Sequence, residues 1–420
     1  METGVTNVKY EVIVIGGGAA GMMAAGRAAE LGAKVLLLEK MNRTGKKLLI
    51  TGKGRCNITN SAERDAFMKN FPTNGSFLFS ALSKLSNHDL ISFFQERGVE
   101  TKVERGERVF PVSDDAADVV KVLEKYVRGN GGRIITNSRV AEIMTENGQV
   151  SGVKTYDNQT YLAERVILAT GGASYPATGS TGDGYELASS LGHSIEPLRP
   201  ALVPLEIKEE WVKTLQGLAL KNVSAKAYLG DKLLDQDFGE LLFTHFGISG
   251  PIILTLSGKI AAAIYNKHKE QIEISINLKP ALTEDQINDR LQRDFAEFSR
   301  KQFKNALDKL LPQKLIPVFI QLSGIAPDKS VNQISRTERQ ELVRLLTDFR
   351  ITVSSTRPLS EAIVTAGGIR VREINPKTME SKLVSGLYFA GEIIDVDGYT
   401  GGFNLQAAFS TGYAAGTNAV

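Results

Sequence analysis

The stretch YEVIVIGGGAAGMMAAGRAAELGAKVLLLE, residues 10–39, decides the fold. It indicates a short apolar strand, a glycine-rich turn, a helix of small residues and a second apolar strand that ends at Glu39. Gly16 allows a tight turn, Gly18 lets the backbone approach a pyrophosphate, and Gly21 lets the helix pack closely on the strand. The stretch therefore predicts a Rossmann-like unit that binds a dinucleotide.

Two further features of this stretch support the prediction. A pyrophosphate is favoured at the N-terminus of the helix, because free N–H groups and the helix dipole attract negative charge there. Glu39 stands about 20 residues beyond the glycines, where a carboxylate accepts hydrogen bonds from a ribose. A glycine-rich turn alone does not explain strand, turn, helix, strand and terminal acid in this order.

Composition excludes several classes of protein. The chain has 420 residues, of which 42% are hydrophobic and 23% charged, as in a globular protein of two or three domains. The net charge is only +3 and no Lys/Arg run resembles a nucleic-acid-binding patch, so we expect no nucleic-acid partner. No uninterrupted apolar stretch is long enough to span a bilayer, and we expect no membrane partner.

Cys56 is the only cysteine, so an intramolecular disulfide is impossible. The residues before the first strand include Glu2, Lys9 and Glu11 rather than the basic run of a secretory signal. We therefore expect a reducing, cytoplasmic location. The absence of zinc-type Cys/His spacing predicts no metal site, and the absence of a G-x-S-x-G elbow argues against a serine hydrolase.

Three segments differ in their pattern. Residues 1–193 alternate strands with helices, and short strands separated by turns between residues 133 and 168 indicate an antiparallel meander. Residues 194–357 contain strands typical of a barrel or sandwich, followed by a helical part at about 283–349 in which Thr283 and Thr337 each fit a capping box. Residues 358–420 return to the first pattern. We predict a dinucleotide-binding domain, residues 1–193 and 358–420, interrupted by an inserted domain, residues 194–357.

Glycine-rich segments follow three apolar strands, after Ile15, Ala169 and Ala390. Since ligands of open α/β sheets bind at the carboxyl ends of parallel strands, these segments predict one shared site. Only the first is a complete dinucleotide fingerprint. A dedicated second Rossmann module for NAD(P)H is therefore not expected.

The third of these segments carries Glu392, which can accept hydrogen bonds from a ribityl chain or, alternatively, cap a helix. Gly402 opens the last helix, whose N-terminal N–H groups could face the pyrimidine edge of a flavin. The loop between them carries Asp395 and Asp397, for which turn formation is the simplest interpretation.

A basic loop, residues 45–57, follows the Glu39 strand and places Lys46, Lys47, Lys53 and Arg55 beside the first glycine turn. The glycines and threonines around these charges favour backbone contact with phosphates or with a flavin, although an exposed basic loop is the alternative. Cys56 is either a redox thiol or, more commonly, a small packed hydrophobe.

The four histidines differ in their surroundings. His88 and His268 stand among polar helix residues and are expected to be solvated, and His193 follows a helix end, which it is expected to cap. His245 lies in a tight glycine-rich loop, FTHFGISGP, of the predicted insert. It is our candidate catalytic residue, as a group that moves a proton during hydride transfer, with a purely structural histidine as the alternative.

The motifs in this order resemble the BaiN-like, or aminoacetone oxidase-like, family of FAD flavoproteins. The likeness covers essentially the whole chain, and it rests on Gly16 to Gly21, TGKGRCNITN (51–60), THFGISGP (244–251), TAGG (365–368), TMESK (378–382) and GGFNLQ (401–406). More distantly, residues 181–184 and 390–392 are similar to segments of fumarate reductase flavoproteins. Their arginine-rich dicarboxylate site has no clear counterpart here.

The resemblance implies a glutathione-reductase-type FAD-binding domain with a β-meander crossover, interrupted by a β-barrel-like plus helical insert. It implies FAD contacts at Gly16, Gly17, Gly18, Ala19, Ala20, Gly21, Glu39, Thr51, Gly52, Gly54, Arg55, Cys56, Asn57, Val140, Thr170, Gly171, Gly391, Glu392, Gly402, Phe403, Asn404, Leu405, Gln406 and Ala407. Beside these we take as candidates Lys40, Gly45, Lys46, Ala169 and Asp183, the last of which is equally explained as a helix cap.

The expected function is an FAD-dependent oxidoreductase that transfers a hydride through flavin N5 between a small organic substrate and NAD(P)H or another acceptor. One alternative is an oxygen-using oxidase of a small amine such as aminoacetone. An alternative of another class is a flavin-dependent redox sensor or binding protein. The sequence predicts neither the substrate nor the oligomeric state.

Overall fold

The computed structural model describes residues 9–266 and 270–420. It divides into two compact units: unit 1 consists of the described residues up to Pro200 together with Leu359–Val420, and unit 2 consists of Ala201–Pro358. His268, expected from the sequence to be solvated, lies outside the described residues.

Unit 1 begins with alternating strands and helices. The strands in its first part are β1 (Tyr10–Ile15), β2 (Val35–Leu38), β3 (Thr59–Asn60), β4 (Thr101–Glu104), β5 (Arg108–Pro111), β6 (Arg133–Ile135), β7 (Val140–Glu146), β8 (Gln149–Thr155), β9 (Thr160–Leu168) and β10 (Ile195–Ala201), whose last residue lies just beyond Pro200. Its α-helices there are α1 (Ala19–Glu30), α2 (Lys46–Ile50), α3 (Arg64–Met68), α4 (Phe79–Lys84), α5 (Asn87–Gln95), α6 (Ala116–Gly129) and α7 (Asp183–Ser190).

Unit 2 is followed by the last part of unit 1. The elements of unit 2 are β11 (Leu205–Ile207), β12 (Ala219–Leu229), β13 (Lys232–Phe243), β14 (Gly247–Ser249), α8 (Pro251–Tyr265), β15 (Ile272–Asn277), α9 (Glu284–Glu297), α10 (Ile316–Ser323), α11 (Arg336–Thr347) and β16 (Phe349–Thr356). Unit 1 then ends with β17 (Val364–Ile369), β18 (Leu387–Phe389) and α12 (Phe403–Asn418).

The main sheet of unit 1 has the strand order β6-β2-β1-β9-β8-β7, with β18 also paired to β9. β1 runs parallel to β2 and to β9, and β18 runs parallel to β9. β7, β8 and β9 form an antiparallel meander. β2 is buried along its whole length, as expected of a strand in a parallel sheet that is covered on both faces.

The meander differs in detail from the sequence pattern. Residues 160–162 and 166–168, which resemble two strands, form the single strand β9, because its first part pairs with β8 and its second part pairs with β1 and β18. The strand near residue 134 is β6, which pairs in parallel with β2 and lies outside the meander.

The boundary near residue 193 also lies further along the chain. β10 pairs with β17 in a two-stranded sheet. Because β17 belongs to the last part of unit 1, this pairing keeps the chain in unit 1 up to Pro200.

Glycines let α12 pack directly on α1. A Cβ at Gly412 would lie 2.3 Å from the carbonyl oxygen of Ala20, and one at Gly416 would lie 2.4 Å from that of Ala24. No side chain other than hydrogen fits at such a distance. The two helices therefore approach closely, and α1 is almost entirely buried.

Unit 2 contains a closed barrel of six strands in the order β11-β14-β13-β12-β15-β16. Its core is a hydrophobic cluster to which the helices α8 to α11 also contribute. The predicted barrel-like sheet and helical part are thus both present.

The two expected capping boxes have different outcomes. Thr283 caps α9 as predicted, with reciprocal hydrogen bonds to Gln286. The prediction for Thr337 was wrong: Ser335 caps α11, and Glu338 completes the box. The buried residues of α11 are Leu342, Val343, Leu345 and Leu346.

Within the part of the chain that the structure describes, no helix is both long enough and apolar enough to cross a membrane.

Candidate functional site

Three strand ends of unit 1 are level with one another. Ile15 of β1 and Phe389 of β18 are both in register with Leu168 of β9. Ala169 N donates to the carbonyl of Ile15, and Ala390 N donates to that of Leu168. The glycine-rich segments that follow these strands therefore meet at one edge of the sheet, where ligands of such sheets bind.

The first glycine turn is compact on one side and open on the other. A Cβ at Gly16 would lie 2.4 Å from the carbonyl oxygen of Ala169, and one at Gly21 would lie 1.8 Å from that of Gly16. A Cβ at Gly18 would meet no atom within 4 Å. Gly18 is the N-cap of α1 and no side chain caps this helix, so the N–H groups of its first turn, those of Ala19 and Ala20 among them, have no capping side chain.

Glu39 is fixed against this turn. Its Oε2 accepts a hydrogen bond from Gly17 N, and its Oε1 accepts one from Met41 N, each at 2.7 Å. Burial raises the pKa of the Glu39 carboxyl, and the two N–H donors oppose the rise. A carboxylate has about four acceptor positions, so hydroxyl donors can still bind to it. Gly45 N donates to the carbonyl of Gly17 and brings the start of the basic loop to the same place.

The carboxylate of Asp183 is paired with two cations. Lys40 Nζ lies 2.8 Å from Asp183 Oδ2, and Arg139 Nε lies 3.4 Å from the same oxygen. Asp183 is the first residue of α7, and the N-cap position belongs to Gly182. Val140 follows Arg139 as a buried residue of β7. Lys40 and Asp183 are thus brought together, in an ion pair that the sequence did not predict.

A second unpredicted ion pair joins the basic loop to the β18 segment. Lys47 Nζ lies 2.7 Å from Glu392 Oε2 and donates to Ser174 Oγ at 2.8 Å. Glu392 Oε1 accepts from Thr365 N at 2.9 Å and from Ser174 Oγ at 3.3 Å. Glu392 therefore lies at the common edge of the sheet, as its position after β18 suggested, but with protein donors on both oxygens. Lys46, which precedes Lys47 in the chain, is half-buried.

The loop at residues 51–57 has an unusual backbone. Gly52, Lys53, Gly54 and Cys56 all have positive φ angles. A positive φ is uncommon for residues other than glycine and is most often found where the surrounding structure requires it. Thr51 Oγ1 donates to the carbonyl of Leu48.

The side chains of this loop point to protein partners. Cys56 is fully buried, and burial raises the pKa of its thiol to about 12. A neutral, enclosed thiol behaves as a small packed hydrophobe rather than a nucleophile. Arg55 pairs with Glu104 at 2.8 Å and stacks 4.1 Å from the ring centroid of Phe110.

The start of α12 packs against residues 57–59, which directly follow the positive-φ positions of the basic loop. The side-chain amide of Asn57 is oriented so that both its oxygen and its nitrogen have hydrogen-bond partners. In this orientation the oxygen accepts a hydrogen bond from Gly402 N at 3.0 Å. A Cβ at Gly402 would lie 2.3 Å from the carbonyl oxygen of Thr59, so only glycine fits. No side chain caps α12, and its first N–H groups are available to a ligand.

The side chains after Gly402 differ in their roles. Phe403 packs edge-on against Phe67, with ring centroids 4.9 Å apart. Gln406 is completely buried and bonded to Thr59 and Ser410. Asn404 bonds the backbone of Gly398, while Leu405 and Ala407 are half-buried.

The comparisons with known proteins decide the family. The model of the HI0933-like protein Rossmann domain matches residues 10–418. The chain belongs to this family. The prediction of a BaiN-like, or aminoacetone oxidase-like, FAD flavoprotein is thereby confirmed.

Two curated relatives match this HI0933-like chain over nearly their whole length. A 3-dehydro-bile acid delta(4,6)-reductase of Clostridium scindens is 35% identical, over 96% of the chain and 97% of the relative. A ribosomal RNA dihydrouridine synthase of Haemophilus influenzae is 34% identical, over the same shares.

A solved structure confirms the predicted fold class of the HI0933-like chain. The 3-ketosteroid delta1-dehydrogenase of Sterolibacterium denitrificans covers 99% of both chains with a TM-score of 0.54 at 13% identity. At that identity the likeness concerns the fold alone. The family and its relatives make this HI0933-like protein an enzyme, an FAD-dependent oxidoreductase.

The residues at the common edge fit FAD. Gly18 leaves the space that a pyrophosphate needs, and both α1 and α12 begin without a side-chain cap. Thr170 Oγ1 is buried and, among the residues described, has no hydrogen-bond partner. Gly171, with φ +75°, lies beside it.

The histidines of the HI0933-like chain lie apart from one another. His245 is exposed in the turn between β13 and β14, with its ring centroid 4.9 Å from that of Phe246. His193 is buried, with Nδ1 3.1 Å from Glu373 Oε2 and Nε2 2.9 Å from Ser381 Oγ. The backbone N–H of His193 donates to the carbonyl of Ala188 and so caps the end of α7, as expected, and its ring bonds two side chains from the end of unit 1. Among residues 9–266 and 270–420, no three His, Cys, Asp or Glu side chains converge as metal ligands.

Proposed function

We propose that this enzyme reduces a carbon–carbon double bond that is conjugated to a carbonyl group. The support is that two relatives match the whole chain almost equally well and share this chemistry in their names. In a 3-dehydro-delta(4,6) bile acid the double bonds adjoin a keto group. Dihydrouridine is uridine whose ring double bond, next to a carbonyl, has gained two hydrogens.

When bound and first reduced by an electron donor, FAD would supply the hydride for such a reduction. The described residues of unit 1 hold the cofactor for this purpose. The N-terminus of α1 at Gly18 binds the pyrophosphate, and Glu39 accepts hydrogen bonds from the ribose. Glu392, oriented by Lys47, accepts from the ribityl hydroxyls, and the N-terminus of α12 favours negative charge at the pyrimidine edge.

Reduction of a conjugated substrate is the first experiment. The purified holoenzyme is photoreduced without oxygen and mixed with a steroid that has a 4-ene-3-keto group, or with ribosomal RNA that contains unmodified uridine. We expect rapid return of the oxidised flavin spectrum with at least one of them. The matched control is the saturated 3-keto steroid, and equal rates with and without the double bond would overturn the proposal, as would no oxidation by either conjugated compound.

Comparison of the steroid with ribosomal RNA shows whether the enzyme acts on a small molecule or on a nucleic acid. The sequence predicted a small-molecule substrate and no nucleic-acid partner, and the relative named for ribosomal RNA keeps both possibilities open. Since the shared chemistry lies in the conjugated carbonyl, the proposal stands for either class, and the faster substrate identifies the class.

We further propose NAD(P)H as the electron donor. An anaerobic titration with NADH and then NADPH, followed by flavin absorbance, should bleach the flavin. If neither nucleotide bleaches it while aminoacetone does, the amine oxidase is the correct function. If no donor of either kind reduces the flavin at a useful rate, the redox sensor is favoured.

His245 remains our candidate for the group that moves a proton. His245→Ala should lower turnover while FAD stays bound, and His88→Ala, in the exposed face of α5, is the matched control. Equal turnover in both variants would remove His245 from the mechanism.

A further inference from the structure

The turn between β7 and β8 carries an asparagine whose side chain is free. Asn147 and Gly148 form the two-residue loop of this hairpin, with φ angles of 51° and 76°. Asn-Gly is favoured in such a loop because both positions need a positive φ. Both residues are exposed, and among the described groups neither the side chain of Asn147 nor the backbone N–H of Gly148 has a hydrogen-bond partner.

An asparagine that is followed by glycine is chemically labile. Asparagine is a thermolabile residue, and glycine has no side chain to shield its backbone nitrogen from the neighbouring side-chain amide. The chain contains three such pairs, which begin at Asn74, Asn130 and Asn147. The surroundings of the three asparagines therefore decide which of them reacts first.

The protein holds the side-chain amides of the other two pairs. Asn74 Nδ2 donates to the carbonyl oxygen and to Oδ2 of Asp395, each at 2.8 Å. Asn130 Nδ2 donates to the carbonyl of Tyr126 at 2.8 Å. An amide bonded in this way must lose its hydrogen bonds before it can react, whereas the amide of Asn147 has none to lose among the residues described.

We propose that Asn147 is a site of spontaneous deamidation in the folded protein. Gly148 N attacks Cγ of Asn147, the bond between Cγ and Nδ2 breaks, and ammonia leaves, so that a five-membered imide forms. Water then opens the imide at either of its two carbonyl groups and leaves an aspartate or an isoaspartate at position 147. No electron is transferred, and water is the only co-reactant.

The end of the hairpin is built so that it can open for this attack. β7 is the last strand in the order of the main sheet. The register of the hairpin shifts between Met144 and Thr145, so only Thr145 and Glu146 of β7 pair with β8 beyond the irregularity. Short segments with exposed hydrogen bonds open locally at a low free-energy cost. Such opening lets Gly148 N approach the side chain of Asn147.

The same turn is bonded to the segment that precedes β18. Ser385 N donates to the carbonyl of Gly148 at 3.1 Å, and Val150 N donates to the carbonyl of Ser385 at 3.0 Å. An isoaspartate adds one methylene group to the backbone, which lengthens the two-residue loop and displaces the Gly148 carbonyl. The modification therefore loosens the chain just before β18.

Peptide mapping by mass spectrometry tests the site. The holoenzyme is kept in warm, mildly alkaline buffer, and the peptides around the three Asn-Gly pairs are compared over time. The mass increase that accompanies replacement of NH2 by OH should arise at Asn147 several-fold faster than at Asn74 or Asn130. In urea the three rates should become similar, because the hydrogen bonds of Asn74 and Asn130 are lost. A rate at Asn147 that does not exceed the other two in the native protein, or the same excess in urea, would overturn the inference.

Isoaspartate itself is detected with a purified protein isoaspartyl methyltransferase and labelled S-adenosylmethionine. Aged wild type should accept methyl groups, and Asn147→Gly should accept several-fold fewer, because it lacks the reacting amide and keeps a residue that accepts a positive φ. Asn158→Gly, in the exposed turn between β8 and β9 with φ 61°, is the matched control and should age like the wild type. Equal methylation of aged wild type and aged Asn147→Gly would place the isoaspartate elsewhere and overturn the inference.

Thermal unfolding tests the effect on β18. The modified protein carries one more negative charge and is separated from the unmodified protein by ion exchange. Loss of the hydrogen bond from Ser385 N should lower its unfolding midpoint by about 2–4 °C. The midpoint of Asn147→Gly should be the same before and after ageing. An unchanged midpoint in modified wild type would overturn the loosening before β18.

Discussion

Lys47 Nζ lies 2.7 Å from Glu392 Oε2, although the two residues are 345 positions apart in the chain. The contact joins a short helix near the start of unit 1 to the segment after its last strand. It also determines how Glu392 is presented at the edge of the sheet, because Thr365 N and Ser174 Oγ hold the other oxygen.

Lys47→Met should destabilise unit 1 by about 1–3 kcal/mol, because it leaves a largely enclosed carboxylate without its cation. Lys9→Met is the matched control, since Lys9 and Glu164 are also 2.7 Å apart but both are more than half exposed. Exposed pairs contribute little to stability. Urea unfolding of the two variants measures the difference, and equal effects would mean that the Lys47 pair behaves like a surface pair.

Gly18→Ala should weaken FAD binding without unfolding the protein. The added methyl group meets no protein atom within 4 Å and instead occupies the space assigned to the pyrophosphate. Gly129→Ala, whose methyl group also meets no atom within 4 Å, should bind FAD normally. Fluorimetric FAD titration and far-UV circular dichroism of both apo-variants check this, and normal affinity in Gly18→Ala would place the pyrophosphate elsewhere.

Gly412→Ala should destabilise the contact between α1 and α12 by about 1–3 kcal/mol, because its methyl group overlaps the carbonyl of Ala20. Gly258→Ala, in the interior of α8 with no atom within 4 Å of the new methyl group, should instead be neutral or stabilise by up to about 1 kcal/mol. Thermal unfolding distinguishes the two. A Gly412→Ala protein as stable as the wild type would show that the helices can separate without cost.

His193 should make stability depend on pH. Burial lowers the pKa of His193, so the unfolded chain takes up a proton at a higher pH than the folded protein does. The stabilisation is therefore complete above the unfolded pKa of about 6.5 and decreases as the pH falls below it. The pKa of Glu373 is also lowered, by its hydrogen bonds with Ser194 and His193 against the effect of burial, and adds a further loss only at more acid pH.

His193→Gln separates these contributions. Urea titrations between pH 8 and pH 5 should show a steeper loss of stability in the wild type than in the variant. Parallel pH profiles would mean that the pKa of His193 is the same in the folded and in the unfolded protein.

Cys56 should resist alkylation. With a thiol pKa of about 12 and no exposed surface, it has almost no thiolate at neutral pH. We expect no reaction with a thiol reagent in the native holoenzyme and one equivalent after unfolding in urea. Rapid labelling of the native protein would contradict the buried position.

Local patterns predicted much of unit 1. The strand–turn–helix–strand pattern of residues 10–39 and the glycines after three strands are signals carried by neighbouring residues, and the register of β1, β9 and β18 agrees with them. A pair such as Lys40 and Asp183 leaves no such signal, because its members meet only after the sheet has formed.

Other details depend on choices that local patterns leave open. Two capping-box patterns overlap at the start of α11, one at Ser335 and one at Thr337, and the structure forms the first. In the same way, turn formation explains Asp397 until Thr73 and Arg199 from distant segments are placed beside it.

The pairing of β18 with β9 has a consequence for biosynthesis. A chain still on the ribosome can form β1, β2 and β9, but it lacks β18 and α12 until residues 387–418 have left the ribosome. Such long-range pairing is slow to form and leaves strand edges open in the meantime. A chain can therefore bind FAD only after translation has passed the start of α12. Chains that have not reached this point, whether nascent or truncated, are the ones most exposed to chaperones and proteases.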